Sequence, residues 1–185
     1  MGTKRQGRYT VMFEKPPIIR SYAAIVGEKE AEGPLGAYFD TVCEDPMMGQ
    51  DSWEEAEGQL QYTAVLKALD KAFLRPEDID YLFAGDLLGQ TIATSFGVME
   101  LQIPHFGLYG ACSTMGESLS LASMAVDGGF ASRVVAVTSS HFASAEKQFR
   151  YPLGYGNQRS LASTWTVTGS GALVLESAEE CSEQA

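Results

Sequence analysis

The chain predicts an α/β fold: a mostly parallel, five-stranded sheet with helices flanking it on both faces. Three observations carry that expectation. Apolar runs of strand length occur at residues 18–26, 81–84, 103–108, 133–138 and 172–176. Helical periodicity occupies several of the gaps between them, and strands separated by helices imply βαβ crossovers and parallel pairing. The 185 residues are 45% hydrophobic, enough for a real core in one large domain or two small ones.

The elements follow in order. Residues 1–17 form a polar N-terminal arm closed by Pro16-Pro17, and the strand at 18–26 opens the main body, which runs to residue 177. Residues 27–51 carry Gly, Pro and acids (Glu28, Glu30, Glu32, Asp40, Glu44, Asp45) and read as a long irregular segment, of a length that is usually functional or mobile. Ser52 with Glu55 makes a capping box for a helix that reaches about Phe73, with Trp53, Ala56, Leu60, Ala64 and Ala68 on one stripe. Leu74-Arg75-Pro76 ends it, and the polar turn 77–80 leads into the strand at 81–84. A loop at 85–90, a short helix at 92–100 and the strand at 103–108 come next. Gly110 then allows a tight turn, and Cys112 stands at the mouth of a helix over 113–127. In that helix Leu119, Ala122, Ser123 and Val126 recur at spacings of three and four, and Glu117 is the only charge before Asp127. A helix without a charged face is predicted to be buried on several sides. After the strand at 133–138, residues 139–164 form a second irregular segment with His141, Lys147, Arg150, Tyr151, Tyr155, Asn157 and Arg159. A Thr/Gly/Ser turn at 165–171 precedes the last strand, and residues 178–185 read as an acidic tail or linker.

The totals exclude several classes of function. A net charge of −11 argues against nucleic-acid binding and against docking on anionic lipid. No apolar run approaches the length of a membrane span, and the basic residues 1–8 lack the apolar core of a secretory signal. Cys43, Cys112 and Cys181 are odd in number and far apart, which predicts a reducing compartment without a disulfide framework. His105 and His141 are too scattered for a metal cluster. Gly169-Ser170-Gly171 enters a strand rather than opening a helix, so it is no dinucleotide fingerprint; neither a phosphate loop nor a serine elbow occurs. No metal and no cofactor is therefore expected.

Cys112 is the residue with the most defined chemistry. Backbone N–H groups and the dipole at a helix N-terminus favour negative charge. A thiol placed there can ionise and act as a nucleophile, or the same N–H groups can hold a bound carboxylate. The alternative is a buried, inert cysteine.

Several stretches together resemble the N-terminal half of the thiolase/ketosynthase superfamily: AVLKALDKAFLRPEDIDYLFAG (64–85), GLYGACSTMGESLSLASMAVDGG (107–129) and VTGSGALVL (167–175). More narrowly, KPPIIRSYAAIVGEKEAEGPLGAYFD (15–40), GACSTMGESL (110–119), SSHFASAEKQFRYPLGYGNQR (139–159) and TWTVTGSGALVL (164–175) resemble the stage V sporulation protein AD family. The resemblance implies a fold of two similar halves with their central helices sandwiched between two sheets, of which this chain matches the first. It places Cys112 at the nucleophile position of the catalytic members, whose basic partners come from the second half; neither His105 nor His141 matches them. The narrower family is associated with binding dipicolinic acid, a pyridine dicarboxylate, for uptake into the developing spore together with membrane proteins of the same operon. That implies a peripheral protein on the cytoplasmic face of the forespore inner membrane.

Three readings of function follow. In the first the chain binds dipicolinate, alone or as its calcium chelate, without catalysis; the candidate ligand-binding residues are Cys112, Ser113, Thr114, His141, Lys147, Arg150 and Arg159, with Tyr151, Tyr155 and Trp165 available for stacking. In the second it is an acyltransferase with Cys112 as the acyl-carrying nucleophile, for which the chain offers no well-placed base. A scaffold acting only through protein contacts is a third. The uncharged helix further predicts cover from a C-terminal half, a partner or a second copy of the chain, hence a homo-oligomer or a larger assembly.

Overall fold

The computed structural model describes residues 4–149, 162 and 164–179. The N-terminal arm folds into a small antiparallel hairpin, β1 (Arg5–Gln6) and β2 (Thr10–Val11). It is fastened to the body at Asp127, whose carboxylate accepts from Lys4 Nζ at 2.6 Å and from the Lys15 N–H at 2.7 Å.

The body is a six-stranded sheet made of β3 (Ile18–Gly27), β4 (Thr41–Cys43), β5 (Tyr81–Asp86), β6 (His105–Leu108), β7 (Arg133–Ser140) and β8 (Gly169–Glu176). The spatial order is β4-β3-β8-β7-β5-β6. Only β8 runs against its neighbours, pairing antiparallel with β3 and β7 while every other pair is parallel. The predicted strand count of five is corrected to six: β4 lies inside the segment read as irregular and pairs with β3 alone, from Ile25↔Thr41 to Gly27↔Cys43. Three residues are too few to show alternation. The same segment holds the short helix α1 (Glu28–Ala31).

Helix α2 (Trp53–Ala72) forms where the cap and stripe predict. Ser52 Oγ accepts from the Glu55 N–H at 3.2 Å, and the Glu55 carboxylate returns to the Ser52 hydroxyl at 2.9 Å. Phe73 closes the helix in the left-handed region, φ +58°. Its buried face, with Leu60, Ala64, Val65, Ala68 and Leu69, packs on Ile25, Leu82, Val135, Val137 and Val174 of the sheet. Helix α3 (Ile92–Met99) crosses α2 at glycines: a Cβ on Gly97 would come within 2.5 Å of the Gly58 carbonyl oxygen.

Helix α4 (Thr114–Asp127) covers the opposite face. Ala122 and Val126 meet Phe83, Val134, Ala136 and Leu175 in a second core. Thr114, Ser118, Ala122 and Val126 recur every fourth residue and are buried, whereas Leu121 and Met124 are 37% and 44% exposed. The predicted burial on several sides is thus realised on one side by the chain's own elements. Tyr22, which alternates with the inward Ala23 on β3, is 64% exposed, with Lys71 Nζ of α2 lying 4.8 Å from its ring centroid. A further helix, α5 (Phe142–Phe149), occupies part of the second segment read as irregular.

Candidate functional site

The strand β6 ends at Leu108, and a 3₁₀ turn over Ala111–Ser113 feeds α4. Ala111 sits at φ +48°, a left-handed conformation that costs a non-glycine residue about 1–2 kcal/mol. Hydrogen bonds hold it there. The Ser113 N–H and hydroxyl both donate to the Gly110 carbonyl, at 3.0 and 2.7 Å, and Thr114 Oγ1 donates to the Ala111 carbonyl at 2.8 Å while accepting from the Gly110 N–H at 3.1 Å. β5 passes so close that a Cβ on Gly85 would overlap the Leu108 carbonyl oxygen, so glycine is required there. The strained turn presents Cys112 as an exposed thiol.

Cys112 lines a cleft of about 310 Å³ between the start of α4 and the ends of β3, β7 and β8, with Val26, Met115, Thr138, Ser140 and Gly171 among its walls. Apart from the thiol, no lining side chain ionises among the described residues. The turn also alters one expectation. The N–H groups of Ser113 and Thr114 are not free to hold a ligand, because they are bonded to the Gly110 and Ala111 carbonyls within the 3₁₀ turn. Thr114 lines the cleft but is 3% exposed, and Ser113 has its hydroxyl turned back on Gly110.

Neither of the other described candidates, His141 and Lys147, lines this cleft. His141 is fully buried: its Nε2–H donates to the Pro46 carbonyl at 2.9 Å and its Nδ1 accepts from the Ala143 N–H at 3.1 Å. A carbonyl can only accept and an N–H only donate, so the ring is neutral, and burial pushes its pKa below the ordinary histidine value against the pull of Pro46. It packs against Trp53 and Phe142 at 5.3 and 5.8 Å, as a core residue. Lys147 of α5 pairs with Glu54 at 2.7 Å. Trp165 lines a different cavity, in edge contact with Phe142 at 5.9 Å. Arg150, Tyr151, Tyr155 and Arg159 lie outside the described residues.

A buried polar network escaped the sequence reading. Glu57 and Gln61, one turn apart on α2, are 1% and 0% exposed. Ser139 Oγ donates to Glu57 Oε1 at 2.8 Å and accepts from Gln61 Nε2 at 2.8 Å, while Ser144 Oγ lies 2.8 Å from Glu57 Oε2. Gln61 also reaches Thr94 Oγ1, which donates to the buried Asp86 at 2.8 Å. Burial above all pushes the Glu57 pKa up to about 7; the two serines pull it down, and the Asp86 and Glu54 carboxylates add to the rise. The available signal was an i, i+4 pair of long polar residues on the core-facing stripe of an amphipathic helix.

Comparison with known proteins places this geometry. The stage V sporulation protein AD family profile matches residues 7–184. Stage V sporulation protein AD of Bacillus subtilis (strain 168) is 48% identical over 172 residues, which cover 93% of this chain and 51% of that protein. The chain therefore spans about half the length of the curated relative it matches. Among solved structures, 3-oxoacyl-[acyl-carrier-protein] synthase III from Aquifex aeolicus VF5 superposes with a TM-score of 0.58 at 17% identity, covering 88% of this chain and 54% of that one. A cysteine-to-serine variant of Xanthomonas campestris OleA, with bound lauric acid and lauroyl-CoA, gives 0.63 at 15% identity, covering 93% and 59%. At such identities the two structures establish the fold, an α/β arrangement of the thiolase-like type, and nothing about chemistry. The profile and the 48% identical relative go further: this chain belongs to the stage V sporulation protein AD family.

Proposed function

We propose that the chain binds dipicolinate, as the dianion or its calcium chelate, in the Cys112 cleft, and does so for uptake of the compound into the developing spore. The observation that carries this reading is the charge pattern of the cleft. The sequence holds 24 Asp and Glu against 13 Lys and Arg, yet no acidic side chain lines this cavity among the described residues, so a dianion entering it meets no carboxylate at its walls. About 310 Å³ lies at the small end of ligand pockets, in keeping with a single pyridine ring and its substituents. Arg150 and Arg159 supply the guanidinium groups that this reading assigns to the carboxylates, since their forks match carboxylate geometry.

On this reading the chain hands its ligand to membrane proteins of the same operon from the cytoplasmic face of the spore inner membrane. No helix among the described residues is long and apolar enough to cross a membrane, which supports leaving translocation to such partners. The bare outer side of α4, with Leu121 and Met124, is covered in the working protein by a second half or a second copy of the chain. Titration calorimetry with dipicolinate, with and without calcium, tests the binding reading: saturable heat supports it, and none at millimolar ligand contradicts it. The exposed thiol in a strained turn also suits the acyltransferase reading. Mass spectrometry after incubation with a thioester separates the two, since only that chemistry leaves an acyl group on Cys112.

A further inference from the structure

A second cavity, of about 290 Å³, lies beyond the C-terminal ends of β3 and β4 and shares no lining residue with the Cys112 cleft. Its character is the reverse of the first. The walls are apolar and aromatic: Leu60, Met48, Cys43, Phe142 and Trp165. Burial pushes the Cys43 thiol above its ordinary pKa, so that wall is uncharged at neutral pH. Among the described residues, four carboxylates, Glu28, Glu30, Glu44 and Asp45, line the same space against one ammonium, Lys29.

Two details show what such a site prefers. Lys29 Nζ lies 5.3 Å from the centroid of the Trp165 ring, so this ring face already attracts an ammonium. The Glu30 carboxylate accepts from the Thr168 N–H through Oε1 at 3.0 Å, while Oε2 is buried without a hydrogen-bond partner. A buried, unsatisfied carboxylate oxygen is costly, and a donor with positive charge is what would relieve it. Asp45 is already occupied by the Met47 and Gly49 N–H groups, at 2.9 and 2.8 Å, and adds charge at the rim rather than a vacant acceptor.

We propose that this cavity binds a small organic ammonium compound with a flat apolar body, the body against Phe142, Trp165 and Met48 and the ammonium directed to Glu30. The carboxylate rim repels dicarboxylates, so the ligand differs in charge from the one assigned to the Cys112 cleft. This site stands whether or not that assignment holds.

The test uses a matched pair of probes, phenethylammonium and 3-phenylpropionate, which share a body and differ in the sign of their charge. The ¹H–¹⁵N spectrum of the whole chain shows two indole signals, from Trp53 and Trp165, and a Trp165→Phe variant assigns them. Phenethylammonium is expected to shift the Trp165 signal saturably in the millimolar range, and 3-phenylpropionate to leave it unmoved. Glu30→Gln is expected to weaken binding about fivefold or more. The rim pair Glu28→Gln with Glu44→Gln leaves the Thr168 contact untouched, so it cannot disturb the fold there; it is expected to weaken binding about two- to threefold, an effect lost at high salt. Equal shifts from both probes, no shift from either, or undiminished affinity in the rim pair would overturn the proposal.

Discussion

Replacing Glu57 by glutamine makes the sharpest demand on the buried network. Ser144 has a single hydroxyl hydrogen and two acceptors, Glu57 Oε2 at 2.8 Å and the His141 carbonyl at 3.0 Å. The His141 carbonyl also accepts from the Ala145 N–H at 3.0 Å, so an ionised Glu57 takes the Ser144 hydrogen and leaves that carbonyl one bond fewer. A protonated Glu57 donates to Ser144 and frees the serine for His141, so the neutral acid adds one hydrogen bond to the network. Raising the folded-state pKa from 4.5 to about 7 corresponds to roughly 3 kcal/mol of preference for the neutral form. Well below pH 4.5 both folded and unfolded chains hold the proton and stability is intact. Above that the unfolded chain releases it while the folded chain keeps it, so stability falls with rising pH until the folded form ionises too, near pH 7. Between pH 5 and 8 the loss is about 2.5 kcal/mol. Glutamine is neutral throughout and can donate to Ser144 in the same place. Urea denaturation across this range is therefore expected to show the parent losing about 2.5 kcal/mol relative to Glu57→Gln. Parallel pH profiles for parent and variant would refute the protonated, fully bonded Glu57.

Three further outcomes follow from the packing. Iodoacetamide alkylates Cys112 faster than Cys43, because the first thiol is exposed and the second is half-buried with its pKa pushed up; peptide mapping by mass spectrometry gives both rates, and an equal or reversed order contradicts the geometry. Met124→Glu charges the bare outer side of α4 without touching its buried face, so folding by circular dichroism is retained while light scattering reports loss of association; a variant that associates like the parent removes that face from the contact. Gly97→Ala puts a methyl against the Gly58 carbonyl at the α2–α3 crossing and is expected to cost about 1–3 kcal/mol in urea unfolding, whereas an unchanged midpoint would mean the helices separate freely there.

How much of this was readable depends on the length of each element and on where polar groups point. α2 announces itself through Ser52, Glu55 and a stripe sustained over five turns, and α4 through its uncharged faces; long periodic signals survive whatever packs on them. β4 is three residues at the sheet edge, and its pairing with β3 is a tertiary fact with no local pattern. At the Cys112 turn the strand-to-helix change was legible around Gly110, but the left-handed Ala111 was not, since nothing in alanine signals a positive φ. The consequence was chemical: the 3₁₀ turn it permits occupies N–H groups that an ordinary helix start would leave open. His141 illustrates the opposite problem. A histidine among Ser, Lys and Arg reads as a site residue, yet Trp53, Phe142 and the Pro46 carbonyl draw it into the interior. Glu57 was hidden because a charged letter on a helix reads as a solvated face, and only the fold brings Ser139 and Ser144 to it.

The central claim is that the dicarboxylate sits in the Cys112 cleft, which no acidic side chain lines among the described residues. The rate of Cys112 alkylation by iodoacetamide, measured with and without saturating dipicolinate, tests it directly, with Cys43 in the other cavity as the internal control. Dipicolinate is predicted to slow alkylation of Cys112 in a saturable way and to leave the Cys43 rate unchanged. Unaltered Cys112 reactivity at concentrations where calorimetry shows binding would place the ligand elsewhere and contradict that claim.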